Sequence, residues 1–308
     1  MDAIVNTIDY FNFRVSRSPW RLFEFCDLWI MPPFLRRRCQ AMLTAQWTHR
    51  LPFLQSITPA ERAAALILRT LGQIEDLEEL KFTIIDFCSG GGGPVPTIER
   101  LVNQERASQG EKPIPFLLSD IHPHLDAWIT ASSRSAHLSF AYTSDTRVFR
   151  LYCLAFHHFP DALARKTLAS TLATSDGFAI IELQDRHVFS LALMALDLLL
   201  VFFVSPLWFW GDWLRLLFTN IVPLLPVIQA FDGAVSCLRT RTFEEVMALV
   251  DAGEAEAERT DVVSYGRRGA TKYAERGEWV FQGGREMHTW PIGYMTWVAG
   301  RKRETGDT

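Results

Sequence analysis

Hydrophobic positions along the chain gather into short continuous runs that predict buried strands. The runs are Phe82–Phe87, Phe116–Ser119, Leu138–Tyr142, Phe149–Ala155 and Phe178–Leu183. Helix-forming stretches separate most of them, at Thr97–Ala107, His124–Ser133 and Asp161–Ala173. Strand and helix in alternation predict a parallel sheet covered on both faces. Two more strands are expected at Glu278–Gln282 and Gly293–Ala299, joined by a Gly-Gly turn and a polar loop. Capping boxes mark two helix starts, Thr58-Pro59-Ala60-Glu61 and Thr242-Phe243-Glu244-Glu245. The first opens a helix over Ala60–Leu71, and the second one whose apolar stripe is Val246, Leu249 and Val250. Residues 1–50 mix aromatics with Pro32–Pro33 and the run Arg36, Arg37, Arg38, and predict one or two helices packed on the main domain. The Arg run reads as a solvated face.

The stretch 188–210, VFSLALMALDLLLVFFVSPLWFW, breaks this pattern, with one charge, Asp197, in 23 residues. As a helix it would measure about 35 Å at ~1.5 Å per residue, enough for a bilayer core of roughly 30 Å. A second apolar run, 214–231, is interrupted by Arg215, Pro223 and Pro226. The strand before this insertion and the helix after it belong to one domain, so the insertion crosses a membrane twice or not at all. It reads as a helical lid or dimer surface, as a monotopic membrane contact with Trp208, Phe209, Trp210 and Trp213 at its tip, or as a two-span hairpin. Each reading implies an apolar partner. Just after it, Asp232 and Arg239 are expected to form an ion pair docking the insertion onto the domain, or else to point into a pocket.

The 308 residues are 48% hydrophobic and 21% charged, which excludes disorder as the main state. A net charge of −4 excludes a general nucleic-acid binder, which would carry a basic face. Five widely spaced cysteines (Cys26, Cys39, Cys88, Cys153, Cys237) without a C-x-x-C indicate neither a zinc site nor a disulfide framework. Free thiols suit a reducing compartment. The start MDAIVNTIDYFNF lacks a basic region followed by an apolar one, so a secretory signal is not expected. Together these read as a cytoplasmic protein, with an internal membrane's cytoplasmic face left open.

The sharpest local signal is Ile84-Ile85-Asp86-Phe87-Cys88-Ser89-Gly90-Gly91-Gly92-Gly93-Pro94. An apolar strand ends in an acid, then a glycine turn, then a helix whose N-terminus offers free N–H groups. The next strand also ends in an acid, Asp120, placed to accept ribose hydroxyls. The chain has no G-x-x-x-x-G-K-[ST], which argues against a P-loop hydrolase. Cys88, where a dinucleotide pattern would carry glycine, argues against a nicotinamide enzyme.

Asp86-x-Cys88-x-Gly90-x-Gly92 resembles motif I of class I S-adenosylmethionine-dependent methyltransferases, and Asp120 the ribose-binding acid of their motif II. The stretches IDFCSGGGGPVPTIER, SDIHPHLDAW, LAFHHFPDALA, GFAIIELQDR, FDGAVSCLRTRTFEEV and HTWPIGYM resemble a little-characterised fungal and bacterial group of methyltransferase-like proteins. The resemblance covers roughly residues 20–300. It implies an α/β, Rossmann-like, seven-stranded and mostly parallel sheet with an antiparallel last strand. The organisation is then an N-terminal helical segment (1–75), a cofactor-binding core (76–187), an apolar helical insertion (188–231) and the C-terminal part of the core (232–308). The resemblance also implies S-adenosyl-L-methionine as cofactor, held at Asp86, Cys88, Ser89, Gly90, Gly91, Gly92, Asp120, Ile121 and Phe156. Asp145 is the candidate for the adenine amine, although only six residues, Thr143 to Val148, separate the strand runs there.

In this superfamily the end of the fourth strand faces the reactive methyl group, and there lies Phe156-His157-His158-Phe159. One of His157 and His158 could deprotonate a hydroxyl or phenol acceptor; a backbone-bonding structural role is the alternative. Glu182, ending the fifth strand, could orient substrate or pair with Arg186 one helical turn on. His288-Thr289-Trp290-Pro291 could rim the pocket. The expected activity is methyl transfer to a lipophilic small molecule such as a secondary metabolite, lipid or quinone. The alternatives are a cyclase or isomerase on this scaffold, or a non-catalytic membrane-associated protein. The partners expected are that small molecule and no nucleic acid, with peripheral membrane contact or a homodimer through 188–231.

Overall fold

The computed structural model describes residues 2–74, 77, 81–141, 146–252 and 271–303. In chain order the first half runs α1 (Asp2–Phe11), α2 (Pro33–Thr48), α3 (Pro59–Leu71), β1 (Phe82–Phe87), α4 (Val95–Ser108), β2 (Phe116–Ser119), α5 (Leu125–Ser132), β3 (Leu138–Ser139) and β4 (Arg147–Cys153). The second half runs α6 (Asp161–Thr174), β5 (Gly177–Glu182), α7 (Val188–Trp208), α8 (Trp213–Leu216), α9 (Leu224–Arg239), α10 (Phe243–Asp251), β6 (Lys272–Arg276), β7 (Trp279–Thr289) and β8 (Gly293–Lys302).

The strands form one sheet in the order β3-β2-β1-β4-β5-β8-β7-β6. Pairing is parallel from β3 to β5 and antiparallel across β5–β8, β8–β7 and β7–β6. Eight strands replace the expected seven. The extra one is β6, a short edge strand of mixed polarity (Lys-Tyr-Ala-Glu-Arg) with no apolar run to announce it. β1 and β2 coincide with the runs read from sequence. β3 is cut to two residues, and Tyr142 lies outside the described residues. The Gly-Gly turn is not a turn: β7 runs straight through Gly283 and Gly284. A Cβ at Gly283 would lie 2.3 Å from the Phe243 ring, and one at Gly284 3.1 Å from the Trp297 indole. These glycines serve close packing inside a strand.

Both expected capping boxes form, at Thr58/Glu61 and Thr242/Glu245. One face of the sheet (Ile84, Phe116, Phe149, Ala179) packs on α3 and α4. The other (Tyr152, Phe178, Ile180) packs on α6 and α10. A third, smaller cluster joins Met31, Leu35 and Cys39 to Leu225 and Ile228, fastening α2 to α9. The sheet order reverses at β1, whose neighbours β2 and β4 lead off in opposite directions. Ligands of open α/β sheets bind beyond the strand ends at such a point.

Candidate active site

The glycine turn sits at the C-terminal end of β1, beside the reversal. Cys88 takes φ +62°, Gly90 +50° and Gly92 +93°. At Cys88 the left-handed backbone costs about 1–2 kcal/mol, because its Cβ crowds the chain. Ser89 is buried and its hydroxyl is spent locally: it donates to the Asp86 carbonyl (2.9 Å) and accepts from the Ser119 N–H (3.1 Å), stapling β1 to β2. The Asp120 carboxylate accepts the Gly90 N–H (2.8 Å) and the His122 N–H (2.8 Å), fixing the loop to the end of β2. Next to it Ile121 is 86% exposed, an apolar side chain standing free at the rim. The Trp128 indole donates to the Gly90 carbonyl (2.9 Å). Gln40 of α2 lies against the turn, 3.5 Å from where a Gly90 Cβ would be and 3.7 Å from one at Gly91. No sequence signal singled out Gln40.

Asp86 is buried, and its Oδ1 has no hydrogen-bond partner among the described residues. Burial pushes its carboxyl up to about 8, with the Asp120 charge adding to the rise. Just beyond β4, Leu154 has φ +51° and the chain turns into a 3-10 turn, Phe156–His158.

The two histidines have different surroundings. His157 is buried; its Nδ1 lies 2.8 Å from Glu182 Oε2, and its backbone N–H donates to Glu182 Oε1 (3.1 Å). Its Nε2 has no hydrogen-bond partner among the described residues and lies 3.8 Å from Glu24 Oε1. Burial, then the Arg239 charge, pulls the His157 imidazole down to about 3. Burial pushes Glu182 up to about 8. The pair is therefore a buried acid–base couple, neutral near pH 7. His158 is partly exposed and meets Asp27 Oδ2 at 3.3 Å and Arg239 Nη1 at 3.2 Å. The ring centroids lie 4.1 Å apart, with the planes tilted by 36°.

Glu182 does not pair with Arg186. That guanidinium turns instead to the Thr240 carbonyl (3.2 Å) and to Glu245. Nor do Asp232 and Arg239 pair with each other. Asp232 accepts the backbone N–H groups of Phe25 (2.6 Å) and Cys26 (3.0 Å), while Arg239 holds Glu24 (2.9 Å) and Asp27 (3.0 Å). Both residues of α9 thus strap the N-terminal segment 22–27 over the histidine turn, which only the tertiary structure brings near. Burial raises Glu24 to about 7, opposed by the His158 and Arg239 charges. Asp27, despite burial, is lowered to about 2 by His158 and Arg239. Arg21 and Arg241 hold the turn from the other side through the carbonyls of His157 and Phe156 (3.1 Å each). Two acids in the aromatic run LFEFCDLW were the one available sequence signal for this strap.

Phe156 is buried in the core beside Tyr152 and Phe159 rather than at the glycine turn. His288 is buried and spent on the Leu183 carbonyl (3.0 Å) and Thr289 Oγ1 (2.8 Å). Asp145 lies outside the described residues. A cavity of about 570 Å³ opens beside the acid–base couple; His157 and Glu182 form part of its wall, with Ile180, Phe243, Val246 and Met287 as apolar lining and Arg14, Asp185, Arg241 and Arg285 as charged lining.

No protein-family model matches the sequence, and no curated protein matches it. Solved structures do resemble the fold. The plantazolicin methyltransferase BpumL, in complex with a triazolic desmethylPZN analog and SAH, shares 10% identity at a TM-score of 0.50 over 90% of this chain and 95% of that one. Magnesium protoporphyrin IX methyltransferase (ChlM) from Synechocystis PCC 6803, with bound SAM, shares 8% identity at a TM-score of 0.40 over 92% of this chain and 99% of that one. The BpumL likeness is one of fold, a Rossmann-like, mostly parallel sheet with antiparallel strands at one edge.

Proposed function

We propose that this protein is an S-adenosylmethionine-dependent methyltransferase acting on a lipophilic small molecule. The observation that carries the reading is the juxtaposition at the sheet's reversal point. A left-handed glycine turn lies between two acids, one of them (Asp86) with an orphaned buried oxygen, and the His157–Glu182 couple stands at the ends of the neighbouring strands. These residues fit the cofactor: bare main chain at Gly90–Gly92, a carboxylate at Asp120 for the ribose hydroxyls, and exposed Ile121 for an adenine face. Asp86 Oδ1, left without a partner, suits an ammonium or a bound water. The cofactor, when bound, supplies an electrophilic sulfonium methyl.

The chain's own groups then align the acceptor and take its proton, which matters only if the nucleophile carries one. With Glu182 ionised, His157 carries its hydrogen on Nδ1 and offers Nε2 as base. A proton taken at Nε2 lets the Nδ1 hydrogen pass to Glu182, the more basic member of the couple. The apolar wall of the cavity beside it supports a lipophilic acceptor, and its charged wall (Arg14, Asp185, Arg241, Arg285) one that also carries a polar group. The fold of the SAH-bound BpumL supports the cofactor class.

Calorimetric titration with S-adenosylmethionine and S-adenosylhomocysteine tests the cofactor. Asp120→Ala should weaken binding by about 1.5–3 kcal/mol, the worth of hydrogen bonds to a charged group. An unchanged affinity removes Asp120 from the site, and absence of binding by the wild type removes the reading. Assay on lipid extracts tests the second half. Transfer should rise with pH through about 8 as Glu182 ionises. Glu182→Gln should lower the rate about 10²–10⁴-fold with cofactor affinity kept. Binding without transfer to any acceptor would favour a cyclase or isomerase that keeps the cofactor as a bound cation.

A further inference from the structure

The long helix of the insertion, α7, turns most of its large apolar side chains outward. On α7 the buried positions are Ser190, Leu193, Val201 and Ser205, with Asp197 half-buried among them. The outward positions at the same helical spacing are Leu196, Leu199, Phe203 and Leu207, exposed by 44, 52, 70 and 80%. On α9 Leu224, Val227 and Phe231 also face outward, while its inner face mixes Leu225, Ile228, Val235 and Leu238 with the charged Asp232 and Arg239. A helix on a water-facing surface does the reverse.

The polar groups facing inward are spent inside the protein. Asp197 accepts from Gln46 Nε2 of α2 (2.7 Å), and Gln46 Oε1 accepts from Gln229 Nε2 of α9 (3.0 Å). Ser205 donates to Asn220, whose amide returns to the Phe202 carbonyl (2.6 Å). At the tip Asp212 caps α8 through the Arg215 N–H (3.1 Å) and lies 3.6 Å from Arg38 of α2. Both acids of 188–231 are thereby withdrawn, and an apolar surface is left facing out.

Two further observations say what covers it. Trp210 and Trp213, 79 and 70% exposed, stand at the turn of the hairpin, where indoles favour the headgroup level of a bilayer. The elements bordering the hairpin are basic: between Tyr10 and Ile57 there are seven arginines against two acids. Both acids, Glu24 and Asp27, are held by Arg239, while Arg14, Arg17, Arg37 and Arg50 are exposed. Arg14 pairs through its backbone with His187 at the root of α7, and α2, which carries Arg37, packs along the hairpin. Among the described residues α7 alone is, by itself, long and apolar enough to cross a membrane, while the segments Trp213–Ile221 and Leu224–Arg239 meet at 73°. β5 before the hairpin and α10 after it pack on one sheet, so a single crossing would divide the domain.

We propose that the α7–α9 hairpin lies monotopically in one leaflet of an anionic lipid bilayer, its outward Leu, Phe and Trp side chains among the acyl boundary and the bordering arginines at the headgroups. This does not rest on the methyl-transfer reading.

The test is flotation of the full chain with vesicles of phosphatidylcholine alone and with one third phosphatidylglycerol, with light scattering on the lipid-free protein. The anionic vesicles should carry the protein, the neutral ones less of it, and raised salt should weaken the difference. Trp210→Ser with Trp213→Ser should cut partitioning about tenfold or more, with circular dichroism unchanged. Arg37→Gln with Arg50→Gln should remove the preference for anionic lipid and spare the residual neutral binding. Absence of flotation overturns the proposal, whether scattering gives a monomer or a dimer closed over this face. Flotation that the Trp pair does not affect overturns it as well.

Discussion

In the sheet, the buried positions are Ile84, Phe116, Phe149 and Phe178; in α7 they include Ser190 and Ser205, and it is Phe203 and Leu207 that face outward. The first region follows the rule for a protein in water, where apolar area is withdrawn at about 25 cal/mol per Å². The second inverts it, and its internal order comes from side-chain hydrogen bonds such as Asp197–Gln46–Gln229. Identical apolar composition therefore means different things in the two places. A run such as FTIIDF is apolar because neighbouring strands and helices cover it, and VFSLALMALDLLLVFF because little of the protein does.

Substitutions separate the two cases. The largest effect is expected in the sheet: Phe178→Ala empties a site closed by Trp279 and Phe281 and should cost about 3–5 kcal/mol in urea unfolding. A loss under about 1 kcal/mol would mean the sheet core is loose. Asp197→Ala should cost about 1–3 kcal/mol, since it leaves Gln46 without its acceptor inside the hairpin. The same carboxyl gives a pH signature. Burial raises it from 3.8 to about 6, opposed by the Gln46 hydrogen bond. The folded state thus holds the proton more tightly than the unfolded one. That contribution to stability is full below about 3.8 and is lost as pH rises through about 6. Asp197→Asn should flatten this fall relative to wild type, and an unaltered profile would place Asp197 in water. The smallest effect is expected outside: Leu207→Ser should change stability in lipid-free buffer by less than about 0.5 kcal/mol. A larger loss would show α7 packed against protein, and would erase the contrast.

The site divides in a similar way. The glycine turn and its flanking acids were legible because they are local: strand, turn and second strand lie within Phe82–Asp120, and the turn's geometry follows from its glycines. Cys88 was readable as a departure, and the structure gives its consequence, a left-handed residue with a side chain where glycine would be at ease. The histidine turn was legible as a position but not as chemistry. Glu182 was weighed against Arg186 by helical spacing, yet it faces His157 because β4 and β5 are neighbours in the sheet. Gln40, Glu24 and Asp27 gave little or no local sign, since they reach the strand ends from a segment over a hundred residues away from the histidines.

By itself, the sequence determined the alternation of strands and helices, both capping boxes, the glycine turn and the presence of an apolar insertion. Each depends on interactions among residues close along the chain. Tertiary structure alone decided the partners of Asp232, Arg239 and Glu182, the passage of β7 through two glycines, and the outward turn of the α7 leucines. A partner or a buried face is chosen by whichever element packs alongside, and a helix apolar on nearly every side carries no periodicity to say which side that is.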